Sequence, residues 1–227
     1  LSRWLFAPTA AAVDHLRREG IDAGTVHLVG DVMYDAALHF AATAALRVRR
    51  PAVFAALAGA PYVLATVHRA ENTDDASRLD AIVGALQSLA CEIPVVWPLH
   101  PRTRRTLDLR GANLQGRGRL HVVEPLGYLD MLELERAAAL VVTDSGGVQK
   151  EAFFFERPCV TVRDETEWVE LVEAGWNTIV PPTSSAVVVD ACRAAIGSRG
   201  RAIQPYGKGD AAMRIARILR AAAGASG

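Results

Sequence analysis

The stretch Leu140-Val141-Val142-Thr143-Asp144-Ser145-Gly146-Gly147-Val148-Gln149-Lys150-Glu151-Ala152 reads as a buried strand running straight into a helix. Leu140, Val141 and Val142 are apolar and two of them are β-branched, the composition of a strand covered on both faces in a parallel sheet. Asp144 and Ser145 end that strand, and Ser145 is placed to cap the helix that follows. Gly146 and Gly147 carry no side chain, so a ligand can approach their backbone N–H groups closely. The unsatisfied donors of a helix start, with the positive end of its dipole, make an anion site. Glu151 falls one turn further in, where a carboxylate can accept from both hydroxyls of a ribose. Diphosphate at Ser145-Gly146-Gly147 and ribose on Glu151 together describe a nucleoside diphosphate. Ser-Gly-Gly is also the composition of a plain turn between strand and helix, so the rest of the chain has to decide.

Composition narrows the field. At 227 residues and 51% hydrophobic, the chain suffices for one large or two small globular domains. Its 25 basic residues balance 25 acidic ones, so no net field favours nucleic acid or an anionic membrane. No apolar run approaches membrane-spanning length, and no signal peptide is visible. Cys91, Cys159 and Cys192 form no CxxC pair and sit in apolar runs, so they read as reduced core residues of a cytoplasmic protein. No His/Cys pair has zinc-ligand spacing, and neither a metal nor a cofactor is expected. The chain opens at Leu1 almost inside a strand, as a fragment would.

Taken in order, Trp4–Pro8 is a short strand and Thr9 caps a helix that Gly20 stops. Thr25–Gly30 is the next strand, and Asp31 or Val32 opens an Ala-rich helix to about Leu46. The basic run Arg47–Arg50 before Pro51 marks a boundary. Apolar runs follow at Tyr62–Val67, Ile93–Trp97, Leu120–Val123, Leu140–Val142, Cys159–Val162 and Thr178–Val180. Helical patterns lie between most of them. In one, Leu79, Ile82, Val83, Leu86 and Leu89 share a face behind an Asp74/Asp75 cap. Strand–helix alternation predicts an α/β fold with a doubly wound parallel sheet. A last helix, Gly209 to about Ala222, carries an apolar stripe through Met213, Ile215, Ile218 and Leu219.

Ligands of such sheets bind beyond the carboxyl ends of the strands, and polar residues gather there. His68-Arg69-Ala70-Glu71-Asn72 follows Val67, and His100-Pro101-Arg102 follows Leu99. Glu124-Pro125-Leu126-Gly127-Tyr128 follows Val123, and Arg163-Asp164-Glu165-Thr166-Glu167-Trp168 follows Val162. With Ser-Gly-Gly, five strand ends converge on one rim, which favours a nucleotide site. Bland readings stand beside each residue. His68 can be a loop histidine, His100 a strand terminator, Arg102 and Arg105 solvated first-turn residues, and Trp168 either a loop anchor or a sugar-facing wall.

These segments together resemble the non-hydrolysing UDP-N-acetylglucosamine 2-epimerase family. Matching segments are Leu5–Thr9, Val29–Asp35, Val67–Asn72, Leu99–Thr103, Glu124–Tyr128, Asp144–Glu151 and Arg163–Trp168, in the family's order. The resemblance implies a Rossmann-like, GT-B-type architecture with substrate in a cleft between two domains. Residues 1–50 would be the C-terminal part of the N-terminal domain, 51–205 the UDP-binding domain, and 206–227 a helix packing back on the first domain. It places diphosphate at Ser145, Gly146 and Gly147, ribose at Glu151 and uracil against Leu126–Tyr128. His68 matches the family's active-site histidine, and His100 its partner near the phosphates. Arg69, Arg163 and Trp168 complete the substrate-binding set.

The implied reaction inverts C2 of a UDP-amino sugar through elimination and re-addition of UDP, with carboxylates from the family's upstream half, absent from this chain, serving C2. The full-length protein would be a homodimer. Where many members carry Thr-Glu-Arg-Pro-Glu, this chain has Thr166-Glu167-Trp168-Val169-Glu170. The Trp form resembles relatives acting on diacetamido-uronic acid sugars, so the sugar stays open. A GT-B glycosyltransferase donor domain, and a nucleotide-binding half with no activity of its own, stand as rival readings.

Overall fold

The computed structural model describes residues 2–45, 52–114 and 118–224. Its elements run β1 (Leu5–Ala7), α1 (Ala10–Arg18), β2 (Val26–Leu28), α2 (Val32–Ala45), α3 (Val53–Leu57), β3 (Val63–Thr66) and α4 (Ala70–Thr73). Next come α5 (Ala76–Leu89), β4 (Val95–Pro98), α6 (Pro101–Leu109), β5 (Leu120–Val123), α7 (Tyr128–Ala137) and β6 (Leu140–Thr143). The chain ends with α8 (Gly146–Phe154), β7 (Cys159–Thr161), α9 (Val169–Glu173), β8 (Asn177–Ile179), α10 (Ser185–Ala195) and α11 (Ala211–Gly224). All six apolar runs from Tyr62 onward are strands, with every end within two residues of the expected one. The expected end of α2 near Leu46 and the boundary at Arg50–Pro51 lie outside the described residues.

Caps set the helix starts. Thr9 Oγ1 accepts the Ala12 N–H at 3.1 Å, and Asp31 Oδ1 accepts that of Met33 at 2.8 Å. Of the two aspartates expected at α5, Asp75 does the capping, accepting from Ser77 (2.8 Å) and Arg78 (3.1 Å).

The chain packs as two compact units, Leu1–Thr43 with Ala202–Gly227, and Ala44–Arg201. In the first, β1 and β2 pair in parallel, with Phe6 opposite His27. The Asp35 carboxylate accepts from the Ala211 (3.1 Å) and Ala212 (2.7 Å) N–H groups, capping a helix that begins 176 residues later. Asp31 N–H donates to the Tyr206 carbonyl at 3.0 Å, and Arg214 donates to that of Val29 at 3.2 Å. Gly30 sits at φ +92°, and a Cβ there would lie 2.9 Å from the Tyr206 oxygen, so the close approach of these two segments requires glycine. On α11, Met213 and Leu219 of the apolar stripe are exposed.

The second unit holds a six-stranded sheet in the order β5-β4-β3-β6-β7-β8, every pair parallel. Alternation sorts its side chains to two faces. Val63, Ala65, Val95, Trp97, Leu140, Val142 and Val160 pack with Leu79, Ile82, Leu86 and Leu89 of α5 and Val188 and Cys192 of α10. Leu64, Val96, Val141 and Cys159 face the other way, onto α3, α7 and α8 through Leu57, Leu134 and Ala152. The sheet is doubly wound. From β3 the chain steps outward through β4 and β5, then returns beside β3 and steps the other way through β7 and β8. The β3/β6 junction is therefore the topological switch point, where such sheets open a crevice.

One expectation is corrected. Cys159 and Cys192 are buried, and burial pushes both thiols up to about 12. Cys91 is exposed instead. It lies past the end of α5, in the turn where Glu92 breaks the apolar run before β4.

Candidate functional site at the switch point

The β3 and β6 ends are joined first by their own side chains, since the Thr66 and Thr143 hydroxyls meet at 2.6 Å. One residue later Asp144, fully buried, locks the two following loops together. Its carboxylate accepts from the His68 N–H (3.0 Å), the Arg69 N–H (2.9 Å) and Asn72 Nδ2 (3.0 Å). Asn72 also donates to the Val162 carbonyl at 2.9 Å, adding the loop after β7. From the sequence, Asp144 reads only as the end of the strand.

Thr143 Oγ1 accepts the Ser145 N–H at 2.9 Å, and Ser145 Oγ caps α8 through Val148 N–H at 3.5 Å. That leaves the Gly146 and Gly147 N–H groups without an acceptor among the described residues, at the positive end of α8. A Cβ on Gly146 would meet Glu167 Oε2 and Trp168 Nε1 at 3.6 Å and Arg69 Nη2 at 3.7 Å. These are ordinary contacts, so packing within the protein does not demand glycine. Three polar groups converge over a turn that keeps its donors open.

Charges alternate around this turn. Glu71 pairs with Arg163 at 2.9 Å, Arg163 with Glu167 at 3.0 Å, and Glu167 with Arg69 at 3.7 Å. Arg163 is 4% exposed, and two carboxylates hold its guanidinium, so it braces the rim from below. Burial works against the Glu167 charge, but the hydrogen bonds from Arg163 outweigh it and hold the carboxyl below the usual range. Arg69 is the more accessible cation. Trp168 turns its indole N–H onto the Gly146 carbonyl at 2.8 Å, and the Lys150 ammonium sits 4.3 Å above its ring.

His68 lies on the opposite side of the switch point. Its Nδ1 is 3.4 Å from Asp144 Oδ1, and its ring centroid is 5.2 Å from that of His100. Burial lowers its pKa against the pull of Asp144, and His100 and Arg69 lower it further. The imidazole is therefore neutral near pH 7, and Asp144 favours the proton on Nδ1, leaving Nε2 as the acceptor. His100 accepts the Arg102 N–H at 3.2 Å as the cap of α6, while Arg102 itself is held by Thr73 (3.0 Å) and Asp74 (2.8 Å). The two imidazoles, with Pro125, Leu126, Met131 and Val148, line a mostly apolar cavity of about 170 Å³.

Glu151 and Tyr128, predicted in separate segments, meet. The Tyr128 hydroxyl hydrogen-bonds the Glu151 carboxyl. Burial raises the Glu151 pKa, against the Tyr128 hydrogen bond and the Lys150 charge. Behind them lies a residue the sequence reading passed over. Glu135 on α7 is 1% exposed, its Oε2 has no hydrogen-bond partner, and burial together with the Glu151 charge raises its pKa well above the ordinary carboxyl value. Its one sequence signal was position, three residues after Leu132 and four after Met131, on the core-facing side of α7. Every predicted site residue thus lies on the rim or directly beneath it.

A doubly wound parallel sheet with convergent polar loops at its switch point is the Rossmann-like α/β class from which GT-B folds are built. The chain belongs to the UDP-N-acetylglucosamine 2-epimerase family, whose profile matches residues 1–220. It is 47% identical over 222 residues to the UDP-2,3-diacetamido-2,3-dideoxy-D-glucuronate 2-epimerase of Pseudomonas aeruginosa, covering 95% of this chain and 59% of that one. The Methanocaldococcus jannaschii UDP-GlcNAc 2-epimerase, solved with UDP-GlcNAc and UDP, superposes with a TM-score of 0.85 at 35% identity, over 96% of this chain and 61% of that one. The S. aureus MnaA–UDP structure gives 0.83 at 27% identity, over 99% and 60%. The chain thus spans about 60% of the length of these relatives.

Proposed function

We propose that this chain carries the UDP-binding part of an isomerase that interconverts UDP-N-acetylglucosamine and UDP-N-acetylmannosamine. One observation carries the reading. Two unengaged glycine N–H groups, a ribose-competent carboxylate on the same helix and two facing imidazoles all meet at the switch point. Diphosphate fits the Gly146-Gly147 turn beside Arg69. The ribose diol fits Glu151, and a flat pyrimidine fits the cavity beside Leu126. Relatives solved with UDP support the same nucleotide.

The chemistry follows from the acidity of the sugar. C2–H is a poor acid, so its removal needs departure of the C1–oxygen bond pair with UDP, leaving a glycal. Fixed N–H donors and Arg69 stabilise the charge that develops on the departing diphosphate. His68, neutral in the free protein, can take a proton at Nε2, and as imidazolium it would face that diphosphate. Re-addition of UDP at C1 with a proton delivered to the other face of C2 completes the inversion. Two faces need two proton-handling groups, and His68 serves one at most.

The test is calorimetry of the chain with UDP and uridine, with C2–H exchange into deuterated water followed by NMR. The chain should bind UDP more tightly than uridine and show no exchange. Equal affinity for both would remove the diphosphate from the turn, and exchange at the rate of a full-length enzyme would place the missing base within these residues.

A second substrate is favoured by the 47% identity to a diacetamido-glucuronate epimerase and by Trp168. In the full-length protein, the ratio of kcat/KM for the uronate sugar over UDP-N-acetylglucosamine decides between them.

A further inference from the structure

We infer that Trp168 acts on the diphosphate without touching it, through the peptide group that joins Gly146 to Gly147, and that Lys150 strengthens this action. The inference rests on the diphosphate reading above. In a trans peptide the carbonyl oxygen and the following N–H point in opposite directions. There is no cis peptide among the described residues. The Trp168 indole N–H donates to the Gly146 oxygen at 2.8 Å, so it holds the plane whose other end is the Gly147 N–H. That N–H has no acceptor among the described residues and lies in the first turn of α8. A donor on the carbonyl also withdraws electron density from the amide, which makes its N–H a stronger donor to an anion.

The loop around the indole is itself fastened. Thr166 Oγ1 accepts the Trp168 backbone N–H at 3.2 Å and donates to Gln149 Oε1 at 2.6 Å, and Gln149 is fully buried on α8. The loop that carries Trp168 is thus fastened to the helix whose first peptide it grips. The Lys150 ammonium stands 4.3 Å from the ring centroid, and Lys150 is 5% exposed. A cation over an aromatic face is attracted to its π-density. By polarising the ring it makes the indole N–H a better donor. The line of influence runs from the Lys150 charge to the ring, to the Gly146 carbonyl, and out through the Gly147 N–H. Trp168 is a positioning residue in this scheme, and Lys150 acts through it.

The measurement is the ratio of UDP to uridine affinity in the 227-residue chain, by calorimetry. Uridine shares the ribose and base contacts but lacks the diphosphate, so a merely structural defect moves both affinities and leaves the ratio alone. Trp168→Phe keeps a ring under Lys150 and removes the N–H. The ratio should fall about three- to tenfold, the effect of one neutral hydrogen bond. Lys150→Met should lower the ratio less, and the double variant should match Trp168→Phe alone, the result that action through the indole requires. An unchanged ratio in folded Trp168→Phe overturns the inference. A double variant that adds the full Lys150→Met increment overturns the role of Lys150 through Trp168 and makes it a direct ligand. Should Trp168→Phe not fold, the Trp168 indole N–H resonance of the unsubstituted chain is followed by NMR. It should shift with UDP and stay with uridine, and equal shifts overturn the proposal. An unsubstituted chain that binds uridine as tightly as UDP overturns the diphosphate site itself, a distinct outcome.

Discussion

At Glu151 two requirements oppose each other. A ribose diol is held best by an ionised carboxylate, yet burial raises the pKa of this one, with the Tyr128 hydrogen bond and Lys150 pulling it back. A hydrogen bond to a charged group contributes about 1.5–3 kcal/mol, so Glu151→Ala should weaken UDP binding by roughly ten- to 150-fold. Titration of the folded variant checks this, and unchanged affinity would move the ribose elsewhere. At His68 the demand is on proton transfer instead. Asp144 orients the ring, and His68→Asn in the full-length enzyme should lower kcat by about 10²–10⁴ with a small change in KM. A raised KM with normal kcat would make His68 a binding residue.

The elements explain what sequence made legible. Leu140–Val142 and the runs of β3, β4 and β7 announce strands because they are buried on both faces, the edge strands β5 and β8 being only partly covered, and Ser145, Thr9 and Asp75 announce helix starts because caps are local. His68, His100 and Ser145–Gly147 stood out because each directly follows a strand. What stayed hidden depends on strand order. Asp144 reaches His68 and Arg69 across the β3/β6 junction, and Arg163 reaches Glu71, 92 residues away. No local pattern encodes that β6 returns beside β3. Trp168 is instructive, because its loop position was read from sequence but its grip on the Gly146 carbonyl was not.

Two predictions belong at this scale. Asp144→Ala strands three donors in a buried junction, and should cost roughly 2–5 kcal/mol and about 5–15 °C in Tm. Urea unfolding checks this, and a neutral result would mean that water replaces the carboxylate. Between α7 and α8, Glu135 has a folded pKa above its unfolded one, so the folded state holds more protons as pH rises past the ordinary carboxyl value. Stability therefore falls with rising pH until Glu135 ionises in the fold. Glu135→Gln has no proton to lose. Its Tm should exceed that of the unsubstituted chain, by a margin that widens as the pH rises above the ordinary carboxyl value. A constant margin would show that Glu135 does not titrate in this range.

Across the whole molecule, the segment Ala44–Arg201 is interposed between the two parts of the other unit. The Asp31 N–H and the Asp35 carboxylate wait for Tyr206, Ala211 and Ala212 before these long-range hydrogen bonds can form. Considered as a sequence of events at the ribosome, this imposes a delay. At about 5–20 residues per second, Asp31 and Asp35 spend roughly ten to thirty seconds before Tyr206, Ala211 and Ala212 are made. The interposed sheet has all its strands by then and can form first. A chain truncated after Arg201 should accordingly give a protease-resistant core containing residues 52–201, while residues 2–43 are cut. In the whole chain both should resist. Equal protection of residues 2–43 in the truncated chain would show that the early segment assembles without the late one. Vulnerability to proteases during synthesis is then a property of chain order, and it falls on residues 2–43, which are made before the segment they pair with.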